Sequence, residues 1–226
     1  MTSLLAIPDS LPNQLINLCA AILLLLGFAM LAQRRILSLI NLFMLQGMVL
    51  VASTTIVAYT TGQHHLYWSA GLTLTLKVLA LPWILHRLIR KLSVKWDVET
   101  MINIPTTMLV GIVLVVIAFN VAQPISHLSG TIMRATIGIA LACILLSFLM
   151  MITRSKAVPQ VIAFLAMENG LFFAATSATY GMPMVVELGI ALDVMVGMVI
   201  FGVFFFQIRQ QFDSLDIRNM ERIKEE

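Results

Sequence analysis

The sequence predicts an all-α integral membrane protein of about seven transmembrane helices, with its N-terminus outside and its C-terminus in the cytoplasm. Composition carries the first half of that statement. Of 226 residues, 60% are hydrophobic and only 11% charged, with a mean hydropathy of +0.97, values foreign to a soluble globular domain. The placement of basic residues carries the second half.

Hydropathy outlines spans at about 14–32, 36–60, 66–90, 106–123, 130–152, 158–180 and 184–207. Prolines stand where helix ends tolerate them: Pro12, Pro105, Pro159 and Pro183 near starts, and Pro124 after an end. The first thirteen residues have no basic residue and no small-residue cleavage site, so no removable signal peptide is expected. Cys19 and Cys143 sit singly in apolar runs and read as small buried hydrophobes, not as a disulfide or metal framework. The chain has no repeat, and its longest internal connection, His86 to Pro105, is polar and basic.

Fourteen Lys and Arg residues can now be sorted. Arg34 and Arg35 follow span one, Arg87, Arg90, Lys91 and Lys95 follow span three, and Arg154 and Lys156 follow span five. Arg209, Arg218, Arg222 and Lys224 follow span seven, while the turns after spans two, four and six hold none. Such alternation fits an odd number of spans with a cytoplasmic C-terminus.

Two basic residues fall inside spans: Lys77 at mid-depth, and Arg134 about one turn in from the outer side. Three acids, Glu168, Glu187 and Asp193, likewise lie in apolar runs. The last two runs fold back across Tyr180-Gly181-Met182-Pro183. Glu168 is then roughly 20 Å of helix from that loop and Asp193 roughly 15 Å, both near the middle of a core about 30 Å thick. Lys77, Glu168 and Asp193 thus share one level, and Arg134 and Glu187 share the outer edge, where an ion pair is expected. Ionisable groups at such depth are costly and usually mark a partner or a charge pathway. Burial and a second acid disfavour an ionised carboxyl, whereas a nearby ammonium favours it. Opposed influences of that kind suit a group that must gain and lose a proton near neutral pH.

Local sequence favours interior placement. Gly189, Asp193 and Gly197 recur every fourth residue, giving Asp193 a stripe of small neighbours. Pro82, five residues after Lys77, should kink or open the helix just past the lysine. No mid-span histidine offers a haem ligand, no phosphate loop or nucleophile constellation is present, and no cofactor or metal site is expected in this chain. Fifteen scattered methionines read as filler. The basic run from Arg87 to Lys95 suits a lipid surface and not a nucleic acid.

Three stretches carry a family resemblance: Ala166-Met167-Glu168-Asn169-Gly170, Val186-Glu187-Leu188-Gly189-Ile190-Ala191-Leu192-Asp193, and Ser214-Leu215-Asp216-Ile217-Arg218-Asn219. Together they resemble hydrogenase-4 component E, a membrane subunit of the formate-hydrogenlyase type of complex, and upstream Lys77-Val78-Leu79 and Pro82 resemble it too. The last three spans also look like the small K-type subunit of respiratory complex I and its relative in multisubunit cation/proton antiporters. The resemblance divides the chain at 1–156, about five N-terminal helices, and 157–226, the K-like helices with a short tail. It puts Glu168 and Asp193 in the places of that subunit's two mid-membrane acids, with Asp where the subunit has Glu. The shorter side chain leaves room for a bridging water in place of direct contact.

What the resemblance implies is a non-catalytic subunit of a redox-driven, proton-translocating assembly in a bacterial or archaeal inner membrane. Its partners would be large antiporter-like membrane subunits, another complex I-like membrane subunit and a peripheral hydrogenase-like module holding any NiFe centre and iron–sulfur clusters. Glu168 and Asp193 would pass protons or electrostatic state, Lys77 would modulate them, and Glu187 with Arg134 would guard the outer side. Two other readings fit the same residues: a subunit of a sodium/proton antiporter, and a scaffold whose charges only set helix register.

Overall fold

A computed structural model describes residues 10–92, 102–125 and 131–179. Regular structure among these residues is helical: α1 (Ser10–Ala32), α2 (Ile36–Thr61), α3 (His65–Thr73), a π-helical turn (Leu74–Ala80), α4 (Leu81–Leu92), α5 (Ile104–Ile125), α6 (Thr131–Thr153) and α7 (Ala157–Thr179). Because α3, the π turn and α4 run on without a break, they make one span, and six described helices are long and apolar enough to cross a bilayer. The chain is a multi-pass membrane protein. The first six expected spans match these to within a few residues. The seventh, over 184–207, lies outside the described residues, and so do Glu187 and Asp193.

Four helices close a ring, with α1 against α2, α2 against α7, α7 against α6 and α6 against α1. The α3–π–α4 span packs on the outside of α2, and α5 packs on α6 and α1. Lipid offers no hydrophobic drive between helices, so close packing of small residues has to supply it. Ala20, Ala58, Ala140, Ala142 and Ala163 are accordingly buried. Several threonine hydroxyls are satisfied inside their own helices, as suits a medium without water. Thr54 donates to the Leu50 carbonyl at 2.9 Å and Thr153 to that of Leu149 at 2.9 Å.

The α1–α2 and α6–α7 connections meet at one end of the bundle, and Arg154 ties them. Its Nη2 donates to the carbonyls of Met30 (3.1 Å) and Leu31 (2.8 Å), in the last turn of α1. Those carbonyls have no partner within the helix and form the negative end of its dipole, so a cation there is stabilised twice over. Gln160 Nε2 in turn donates to the Arg154 carbonyl at 2.8 Å. Charge placement alone makes Arg154 a solvated topology signal beside Arg34 and Arg35. Those two are exposed, but Arg154 is only 1% exposed. Burial pushes its pKa down to about 10, which still leaves it cationic at neutral pH.

Candidate functional site

Lys77 sits in the π turn, and the reason is readable in the chain. Pro82 has no N–H, so the regular ladder cannot continue through it. The constraint relaxes in the turns before it, where Leu81 N–H reaches back five residues to the Leu76 carbonyl. The opening expected just past Lys77 is instead a widened turn that contains it, from Leu74 to Ala80. Relaxation spreads toward the N-terminus because the missing donor is one that would have bonded backwards.

One glycine lets α2 close on this turn, and a second lets α7 close on α6. A Cβ on Gly47 of α2 would stand 3.1 Å from Val78 Cγ2 and 3.7 Å from Lys77 Cβ. One on Gly170 of α7 would stand 3.0 Å from Ile144 Cγ1 and 3.3 Å from the Ile144 backbone nitrogen of α6. Each glycine follows a buried amide, Gln46 and Asn169 respectively, so close approach brings the amides inward.

The result is a polar chain across three helices. Lys77 is 3% exposed, and its Nζ donates to Asn169 Oδ1 at 2.9 Å. Asn169 Nδ2 then donates to Gln46 Oε1 at 3.2 Å. The ammonium also lies 5.7 Å from the centre of the Phe172 ring, within cation–π range. Glu168 is 4% exposed with both carboxylate oxygens shielded from solvent. It immediately precedes Asn169 and stands one turn before Phe172, so it belongs to the patch of α7 that receives the lysine.

A polar seam continues away from the Arg154 end. Ser53 of α2, Thr73 of α3 and Thr176 of α7 are all buried. Since α2 and α7 run in the same direction, the Gln46–Asn169 bond sets Ser53 and Thr176 at one level, each seven residues further on.

Of the expected site residues, Lys77 and Glu168 are thus brought to one level. Arg134 lies in the first turn of α6, but its side chain is outside the described ones, as are Glu187 and Asp193. The Arg134–Glu187 pair accordingly lies outside the described residues. Sequence reasoning missed Gln46, Asn169 as a lysine ligand, and Phe172. Nothing in the chain singles out Gln46, since the same span also carries Asn41, which is exposed. Among the described residues no three His, Cys, Asp or Glu side chains gather as a metal site would require.

Comparison with known proteins sharpens this. Hydrogenase-4 component E of Escherichia coli K12 is 24% identical over 180 residues, 79% of this chain and 83% of that protein. The chain resembles hydrogenase-4 component E. The Shigella flexneri component E gives the same 24% identity over 79% of this chain. An uncharacterized protein of Mycobacterium tuberculosis is 26% identical over 212 residues, covering 93% of this chain and 96% of its own length. No family model and no solved structure matches. The resemblance to component E therefore extends well beyond the C-terminal third.

Proposed function

We propose that this chain is a membrane subunit of a complex I-related, hydrogenase-4-like assembly, and that Lys77 and Glu168 take part in moving charge through it. The observation that carries this reading is a lysine held by an amide deep inside a helix bundle, on the same patch of α7 as a buried glutamate. Resemblance to hydrogenase-4 component E supplies the assembly. Asp193 joins them as the second acid of the K-type pattern, with Glu187 and Arg134 on the outer side. The NiFe centre and iron–sulfur clusters belong, on this reading, to partner subunits. The formate-hydrogenlyase setting, the inner membrane of a bacterium or archaeon, and the antiporter-like partners belong to the same proposal.

The parts divide by chemistry. An amide passes on a proton only through a high-energy tautomer, so Asn169 and Gln46 orient and do not carry. Lys77 and Glu168 are the groups able to gain or lose protons. Both bonds of the polar chain run outward from the lysine, with Nζ donating to Asn169 and Asn169 donating to Gln46.

One observation favours a second reading: the same chain ties α2, the π turn and α7 together and could serve only as a register pin. Redox-driven proton uptake by inverted membrane vesicles separates the two. With Glu168→Gln, the relay reading expects at least a tenfold fall in uptake with unchanged co-purification of partner subunits. Undiminished uptake sinks the relay and leaves the pin. Ion movement that needs sodium and no electron donor would move the chain to the antiporter class.

A further inference from the structure

Outside the polar site, the span formed by α3, the π turn and α4 presents a groove of about 930 Å³. Met44 of α2 and Val78, Leu79 and Trp83 of the span line its apolar walls, and His86 and Arg87 close one end. We propose that this groove binds one anionic phospholipid, with an acyl chain against the apolar wall and the phosphate at Arg87.

Three features select that occupant. The first is length. From Thr75, at the far end, to Arg87 is roughly 18 Å at the rise of an α-helix. One leaflet of hydrocarbon is about 15 Å, half of a core about 30 Å thick, so the groove is long enough for a single chain entering from one side and not for a spanning helix. The second is the end group. The Arg87 guanidinium lies 5.4 Å from the centre of the exposed Trp83 ring, a pairing of cation and interfacial aromatic that belongs at headgroup depth. Arg90 and Lys91 follow within α4, and no acid stands among the described residues that line the groove. The third is a second polar contact. His86 Nδ1–H donates to the Pro82 carbonyl at 3.1 Å, which leaves Nε2 as an acceptor for a headgroup hydroxyl, such as those of phosphatidylglycerol, and not for the phosphate. Clusters of basic residues at the end of a span attract anionic lipid, each worth about a fivefold gain in affinity. The Val78 side chain in the groove wall also packs on Gly47, so a lipid seated there braces the turn that holds Lys77.

Native mass spectrometry of the full chain in mild detergent, offered equimolar phosphatidylglycerol and phosphatidylethanolamine, tests this. Phosphatidylglycerol should be retained preferentially. The preference should fall about fivefold in Arg87→Gln and stay unchanged in Arg34→Gln, another exposed arginine of the basic connections. Leu79→Trp, which fills the groove and leaves Arg87 in place, should lower the retention of both lipids. Equal retention of the two lipids by the unaltered chain overturns the site, as does an equal effect of Arg34→Gln, which would show diffuse electrostatics. A photo-cross-linker at position 79 that captures a neighbouring subunit in the assembled complex, instead of lipid, also overturns it.

Discussion

The described structure buries two cations, Lys77 and Arg154, by opposite means. Arg154 lies at a helix end, where the terminal carbonyls of Met30 and Leu31 receive it. The backbone itself is its partner. Lys77 lies in mid-span, far from any helix terminus, and its Nζ donates to a side-chain amide from another helix. A buried charge at a helix terminus is thus explained by architecture. One in mid-span needs an arrangement of side chains built around it, and such arrangements are where function is to be sought.

That contrast can be broken experimentally. The largest effect should come from Asn169→Leu, which removes a charge-assisted bond and leaves Gln46 Oε1 without its donor. A loss of about 3 kcal/mol in unfolding free energy is expected, measured by denaturant titration in micelles. Combining it with Lys77→Met should recover most of that loss, because no ammonium is then stranded. If the double variant is no better than the single, Lys77 is not what Asn169 serves. Arg154→Ala should cost less, about 2 kcal/mol. It gives up two bonds to carbonyls but also relieves the burial of Nε and Nη1, which have no hydrogen-bond partner. Arg154→Lys should recover part of the loss, since it restores the charge without the planar fork. Gly47→Ala should be smallest at about 1 kcal/mol, the added methyl pressing on Val78. Its signature should be local, namely faster amide hydrogen exchange across Leu74–Ala80 with little change elsewhere.

Much of this architecture was legible in the chain. Spans one to six were, because crossing a bilayer imposes a length and a hydropathy that each segment satisfies alone. Lys77 and Glu168 stood out for the same reason, as charges in runs that should hold none. Pro82 announced a disturbed helix, although not that the widened turn would enclose the lysine. Gln46 and Phe172 were harder, for an amide and an aromatic in an apolar run are unremarkable until something faces them. Arg154 was misjudged as an ordinary wet charge, since its sequence neighbours Ser155 and Lys156 look like any polar turn.

By itself, then, the sequence determined that this is a multi-pass helical membrane protein, where its described spans begin and end to within a few residues, and that Lys77 and Glu168 lie inside apolar spans. Hydropathy and helical rise are local properties, and a single segment suffices to read them. Only the tertiary structure decided that Lys77 would meet Asn169 and Phe172, that Gln46 would extend the chain, and that Arg154 would close over the end of α1. Those outcomes depend on how each helix is rotated about its own axis. Rotation is set by the packing of all the helices at once, through glycines such as Gly47 and Gly170 whose missing side chains decide which faces can touch.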